Sequence, residues 1–270
     1  MKISVGITGC SGSLGRSILK NNKEYKFNCF KGNIKNVTKV QNWIKSNNFE
    51  ILIHLAAIVP IKDVNKNRKN ALEVNYFGTK NIVNCLKNSS VRWFFFSSTS
   101  HVYQSSKKKI LESDKKKPIS YYGKTKLLAE NFIIKKLKNT KIKYCIGRIF
   151  STSNKNQKKN YLVPDLIKKI KRTKKKITLY NLNHYRDFIT MNLISKIILL
   201  LSKKKYNGII NIGRGKKILL KDIAKLICKK YKKDFNFIDN KKPTFLIANN
   251  NKLKKITKVK FENKLENLIF

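Results

Sequence analysis

Residues Lys2 to Arg16 read as an apolar strand (Ile3, Val5, Ile7), a glycine-rich turn and the start of a helix, an arrangement that commits the chain to an α/β layout. The turn runs Thr8-Gly9-Cys10-Ser11-Gly12-Ser13-Leu14-Gly15. Glycines at three-residue steps allow a tight turn, close approach of a phosphate to the backbone, and close packing of helix on strand. The helix that follows aims its unpaired N–H groups and positive dipole end at that phosphate. A lone glycine triplet also fits an ordinary strand-to-helix turn. The strand-turn-helix context favours the phosphate reading.

The chain continues the alternation that this beginning requires. A strand over Lys26 to Phe30 follows the first helix (about Leu14 to Asn21), and a polar helical segment (Val37, Val40, Ile44) leads to the apolar run Ile51 to Leu55. Such runs suit strands buried on both faces. A long helix is expected over about Ala71 to Lys87, with Val74, Phe77, Ile82 and Leu86 inward. Then come a strand at Trp93 to Ser97, a polar loop at Ser98 to Ile119, a second long helix at about Ser120 to Leu137, and a strand at Ile142 to Ile149. This order predicts right-handed βαβ crossovers and a doubly wound parallel sheet.

Beyond Phe150 the alternation weakens. The expected elements are a polar loop (Ser151 to Asn160), helices at Leu162 to Ile170, Leu193 to Leu201 and Leu220 to Tyr231, and short strands at Ile177 to Tyr180 and Ile209 to Ile212. The tail from Lys241 has little periodicity and is expected to pack loosely. The predicted division is a dinucleotide-binding domain over residues 1–150, with a return of 186–213, and a smaller substrate-binding lobe drawn mainly from 151–270.

Net charge is +48, which by itself points to an anionic polymer or surface. Only seven of the 62 basic residues are Arg; the Lys residues are scattered among many Asn and Ile. That distribution reads as a solvated lysine coat and argues against a nucleic-acid partner. The five cysteines are odd in number and widely spaced, with no metal or disulfide framework visible, and three histidines leave no metal site in view. The apolar run after Lys2 is broken by Gly6 and Thr8, unlike a leader peptide, and Ile197 to Leu201 is too short to span a bilayer. The expectation is a soluble protein of a reducing cytoplasm, without a membrane partner.

The chemistry concentrates in Tyr122-Gly123-Lys124-Thr125-Lys126. A tyrosine and a lysine four apart lie on one helix face and can serve one site. Free tyrosine, with a pKa near ~10, is a poor base at neutral pH. A nearby ammonium favours the phenolate. In a lysine-rich chain the pair alone also fits an exposed helix surface.

The ordered set Thr8 to Gly15, His54-Leu55-Ala56-Ala57, Val74 to Thr79, Phe96 to Tyr103, Tyr122 to Lys126, Arg186-Asp187-Phe188 and Asn211-Ile212-Gly213 resembles the extended short-chain dehydrogenase/reductases. Among these it is similar to the nucleotide-sugar epimerases, dehydratases and 4-keto-sugar reductases. The resemblance covers most of the chain to about residue 231 and implies a Rossmann sheet with a smaller C-terminal lobe.

It also implies roles. Tyr122 would be the general acid/base, Lys126 would hold the nicotinamide ribose and lower the Tyr122 pKa, and Thr99 would hydrogen-bond the reacting oxygen. Gly9, Gly12, Ser13, Leu14, Gly15 and Arg16 would cradle the cofactor diphosphate. Leu55, Ala56 and Ala57 would pass along the cofactor, Asn33 and Ile34 would lie beside the adenine, and Asn75 would support the site. Arg186 would grip the substrate diphosphate, a task suited to its planar fork.

Three departures refine this picture. Family dehydratases place Asp-Glu directly after the catalytic Thr, where this chain has Ser100-His101, so dehydration is disfavoured. Ser151 stands where epimerases end a segment in Asn. The acidic residue that follows the second strand and binds the ribose of NAD is missing, while Arg16 follows the third glycine, which tilts the choice between NADP and NAD toward NADP. The resulting expectation is a cytoplasmic NAD(P)-dependent 4-epimerase or 4-keto reductase of a nucleotide sugar in surface-polysaccharide synthesis. It would dimerise through the two long helices, as is common in the family. The alternative is a non-catalytic NAD(P)-binding regulator or RNA-associated protein on the same fold.

Overall fold

The computed structural model describes residues 2–20, 23–153, 157, 161–261 and 269. β1 (Ile3–Thr8), α1 (Ser13–Leu19), β2 (Tyr25–Cys29), α2 (Val37–Lys45) and β3 (Ile51–His54) open the chain. A broken helical stretch follows: α3 (Ile61–Lys66), α4 (Arg68–Leu72), a π-helical turn (Glu73–Phe77) and α5 (Gly78–Leu86). β4 (Trp93–Thr99), α6 (Tyr121–Leu137) and β5 (Lys143–Ile149) complete the first half. Then come β6 (Ser151–Ser153), α7 (Leu162–Arg172), β7 (Lys176–Tyr180), β8 (Tyr185–Arg186), β9 (Phe188–Thr190), α8 (Met191–Lys203) and β10 (Gly208–Ile212). β11 (Ile218–Leu219), α9 (Leu220–Lys230), β12 (Asp234–Ile238), β13 (Phe245–Leu246) and α10 (Asn251–Thr257) follow.

The main sheet is parallel, in the order β10-β5-β4-β3-β1-β2. It is a doubly wound α/β sheet. Its strands are apolar on both sides because both sides are covered. Phe94 and Phe96 face Val40, Ile44, Ile82, Leu86 and Ile133, whereas Trp93 and Phe95 face the opposite core with Ile18, Ile194 and Ile198. Strand order reverses between β1 and β3, so the carboxyl ends of these two parallel strands form the crevice where ligands bind in such sheets. A separate core joins α7 and α9 through Val163, Leu166, Ile170, Ile223 and Ile227.

Three features differ from the sequence expectation. The long helix over Ala71 to Lys87 is interrupted by the π-helical turn, whose extra residue shifts the helical phase. Phe77, expected inward, is 45% exposed. The tail is well packed over its described part: Leu246, Ala248 and Leu253 are buried, and β13 pairs with β8. Its short strand and seven-residue helix are too brief for periodicity to reveal. Cys10 and Cys29 are joined in a disulfide. The parallel register of β1 and β2 sets Ile7 beside Cys29, which brings the turn after β1 to the end of β2. Linear spacing gives no hint of that proximity. Residues 154–156 and 158–160 of the expected polar loop, and Asn21 of the first helix, lie outside the described residues.

Candidate active site

The crevice between β1 and β3 is built around Thr8. Its hydroxyl lies 2.6 Å from His54 Nδ1 and accepts hydrogen bonds from the Leu55 and Ala56 N–H groups, each at 3.2 Å. These bonds hold the segment after β3, Leu55 to Ala57, against the glycine turn. Gly9 has φ +78°, and a Cβ there would stand 2.7 Å from the Ala56 nitrogen. A Cβ on Gly15 would stand 2.4 Å from the Gly9 carbonyl oxygen. Gly12 donates to that oxygen at 3.0 Å and caps α1, whose first turn contains Ser13, Leu14 and Gly15 and no acidic residue. The turn is a backbone-lined cradle suited to an anionic group.

Other residues expected around this cradle have more local tasks. Arg16 is exposed, and its guanidinium donates back to the Ser11 carbonyl of the same turn. Asn33 accepts from the Lys35 N–H at 3.0 Å and so turns its own chain, while Ile34 is buried against Gly78. Asn75 spends its amide on protein: Oδ1 accepts from Ile58 N at 2.8 Å, and Nδ2 donates to the Ile58 carbonyl at 3.0 Å and to Thr125 Oγ1 at 3.1 Å. It is a strut tying the segment after β3 to α6.

The catalytic candidates meet where β4 ends and α6 begins. Ser120 caps α6 by accepting from Gly123 N at 3.1 Å. A Cβ on Gly123 would stand 2.2 Å from the His101 carbonyl oxygen, so a glycine is required for α6 to approach the turn after β4. That approach brings Tyr122 within hydrogen-bonding reach of Thr99. Tyr122 and Thr99 are both buried. Burial, then the neighbouring Tyr161, hold the Tyr122 phenol well above the ordinary tyrosine pKa, with Thr99 opposing. The expected lowering by Lys126 is not among the influences on Tyr122. Lys126 is buried, with Nζ 4.1 Å from the centre of the Phe96 ring and no hydrogen bond to a described residue. Its pKa falls to about 7, through burial first, with Glu130 opposing.

Arg186 approaches from the C-terminal half on β8. Nη1 donates to the Tyr185 and Thr244 carbonyls, and Nη2 donates to Thr244 Oγ1 at 2.9 Å. Burial lowers its pKa to about 10, which leaves it charged at neutral pH. Its charge reaches His101, whose own pKa falls to about 4 through burial and then Arg186. His101 therefore links Arg186 to the Thr99–Tyr122 corner. Sequence reasoning passed over it except as a departure from the dehydratase pattern. It also missed Glu130, although Tyr122, Lys126 and Glu130 repeat at four-residue steps along one face of α6.

The sequence model of the GDP-mannose 4,6 dehydratase family matches residues 9–268. The chain belongs to that family. The chain is 30% identical over 239 residues to GDP-6-deoxy-D-talose 4-dehydrogenase of Aggregatibacter actinomycetemcomitans, covering 84% of this chain and 79% of the relative. It is 26% identical over 208 residues to dTDP-4-dehydro-6-deoxyglucose reductase of Escherichia coli, covering 75% of this chain and 66% of the relative. RMD from Pseudomonas aeruginosa complexed with NADPH has the same fold, with a TM-score of 0.89 at 16% identity over 99% of this chain and 96% of that one. Among the described residues no group of three or more His, Cys, Asp or Glu side chains is placed to hold a metal, and no helix is long and apolar enough to cross a membrane.

Proposed function

We propose that this protein reduces the 4-keto group of a nucleotide-activated sugar with a nicotinamide cofactor, NADPH in preference to NADH. The observation that carries this reading is the buried Tyr122, set beside the buried Thr99 and one helical turn from Lys126. A phenol that rests protonated can give its proton to the oxygen of a ketone under reduction, whereas oxidation of an alcohol requires the phenolate first. The two relatives whose names specify redox chemistry at a 4-position support the same assignment.

The residues fit the cofactor. Gly9 and Gly15 leave backbone open where any side chain would collide, and the unbonded Lys126 ammonium suits a ribose diol. When bound, the nicotinamide supplies the reducing equivalent. Tyr122 donates the proton to the nascent alkoxide, Thr99 orients the reacting oxygen, Lys126 holds the ribose, and Arg186 meets the substrate diphosphate. Arg16 at the glycine turn, with no acid at the end of β2, supports NADPH. Ser100 and His101 replace the acid pair of dehydratases and support reduction over dehydration. The protein works in the cytoplasm, as a homodimer through the α5 and α6 faces, where Leu128 on α6 and Phe77 just before α5 remain exposed.

Purified protein mixed with NADPH and a GDP- or dTDP-linked 4-keto-6-deoxyhexose should oxidise the cofactor in proportion to the hydroxyl sugar formed. Interconversion of UDP-glucose and UDP-galactose without net cofactor consumption would instead identify a 4-epimerase. Salt-sensitive RNA binding without turnover of any nucleotide sugar would favour the regulator on the same fold.

A further inference from the structure

His101 is held on one side only. Its N–H donates to Thr99 Oγ1 at 3.2 Å, its carbonyl accepts from Ile119, and its Nδ1 lies 3.1 Å from Ser120 Oγ. The Ser120 oxygen already accepts the Gly123 N–H, which leaves its hydroxyl hydrogen for Nδ1. Nε2 then carries the ring hydrogen. That nitrogen has no partner among the described residues, and the buried side-chain polar atoms without partners are the Tyr25 hydroxyl and Gln157 Oε1. Nε2 therefore keeps a small exposed surface on a ring that is otherwise largely enclosed. The ring meets Tyr122 edge-on, with centroids 6.1 Å apart, and stands near Arg186.

The geometry points to His101 as a substrate-recognition residue: its Nε2–H donates to a sugar hydroxyl oxygen on a carbon adjacent to the one whose oxygen Tyr122 serves. The assignment rests on the nucleotide-sugar reading above. A hydroxyl of the ring is the group that fits, because the Tyr122 phenol and Thr99 claim the reacting oxygen and Arg186 claims the diphosphate end. An imidazole flanked by Arg186 and packed under α6 stays neutral across the working pH range, so it recognises an oxygen without exchanging protons with it. Its contribution appears in binding of the sugar and not of the nucleotide.

Two substitutions separate recognition from support. In His101→Asn the side-chain amide takes the place of Nδ1 and keeps the Ser120 contact while removing the group at the Nε2 position. In His101→Gln the amide reaches the Nε2 position. Titration calorimetry of the proteins loaded with NADP+, which cannot reduce the ligand, would use GDP- and dTDP-linked 4-keto-6-deoxyhexoses, each beside its bare nucleoside diphosphate. For the nucleotide sugar that binds wild type, His101→Asn should weaken binding about fivefold to tenfold, the worth of one neutral hydrogen bond. His101→Gln should stay within about threefold of wild type, and both variants should bind the bare diphosphate as wild type does. Equal sugar affinity in wild type and His101→Asn would overturn the assignment alone. So would parallel losses for sugar and bare diphosphate, which mark a structural role. Wild type that binds none of the nucleotide sugars would overturn both this assignment and the functional reading beneath it.

Discussion

Arg148 and Glu130 form a buried ion pair, Nη2 to Oε2 at 2.7 Å, with each side chain 1% exposed. Arg148 Nε also donates to both Glu130 oxygens at 3.1 and 3.2 Å, and Ser98 donates to Oε1. Arg148 Nη1 reaches the Tyr103 hydroxyl at 2.8 Å, which in turn donates to Asn211 Oδ1 at 2.6 Å. One network thus pins α6, the helix of Tyr122 and Lys126, to β4, β5 and β10. Glu130→Gln should cost about 3–5 kcal/mol of folding stability, because it strands a buried guanidinium charge. The paired replacement Glu130→Leu with Arg148→Met should recover most of that loss. Urea unfolding of the three proteins checks this, and a loss below about 1 kcal/mol in Glu130→Gln would remove the network from the account of how α6 is held.

Tyr122→Phe removes the hydroxyl proposed to donate the proton and leaves the packing of the ring. Turnover should fall by about 10²–10⁴, the usual worth of a positioned acid. Cofactor affinity should change by less than about twofold, since Lys126 and the glycine turn are untouched. Steady-state rates beside fluorescence titration of NADPH give both numbers, and near-normal turnover would transfer the proton to another group.

Much of this was legible in the sequence, for identifiable reasons. The glycine turn, the apolar strands and the Tyr122–Lys126 pair are local patterns whose chemistry is set by spacing along the chain. Phe77 stands outward because the inward face there is carried by Asn75, Gly78 and Thr79, polar or small residues that an apolar pattern passes over, while Ile82 and Leu86 are buried as expected. The Arg148–Glu130 pair and the Cys10–Cys29 bond join residues 18 and 19 apart that meet only after the sheet has set its register. Burial, which raises the Tyr122 phenol, is a property of the packed fold that spacing along the chain does not display. The bonds from the Asn75 amide to the backbone of Ile58 join residues 17 apart and leave no trace in a local pattern.

Lys126 makes stability depend on pH in a predictable direction. Its pKa falls from 10.5 to about 7 on folding, so between those values the unfolded chain binds more protons. Its contribution to stability is present above the unfolded value and is lost as pH falls toward about 7. Lys126→Met lacks this dependence. The unfolding free energy of wild type relative to Lys126→Met should therefore rise by about 1–2 kcal/mol between pH 7.5 and pH 9. Urea unfolding at the two pH values tests it in the absence of cofactor, and a flat difference would contradict the depressed lysine. Taking the difference cancels the repulsion among the remaining cations of this highly charged chain.

The Cys10–Cys29 disulfide ties the glycine turn to the end of β2 across 19 residues of sequence. Closing a loop of that size removes denatured-state entropy worth roughly 3 kcal/mol. In a reducing cytoplasm the pair stands as two thiols, so the oxidised and reduced proteins are both forms to compare. Thiol titration in denaturant should find three thiols in the oxidised protein, from Cys85, Cys145 and Cys228, and five after reduction. The oxidised form should be about 2–4 kcal/mol more stable toward urea, and Cys29→Ser should match the reduced form whether or not reductant is present. Cys85→Ser, on α5 and outside the bond, should leave the response to reductant intact. Five titratable thiols after treatment with a mild oxidant, or equal stability of the two forms, would show that the turn is held by its glycines and by Thr8 alone.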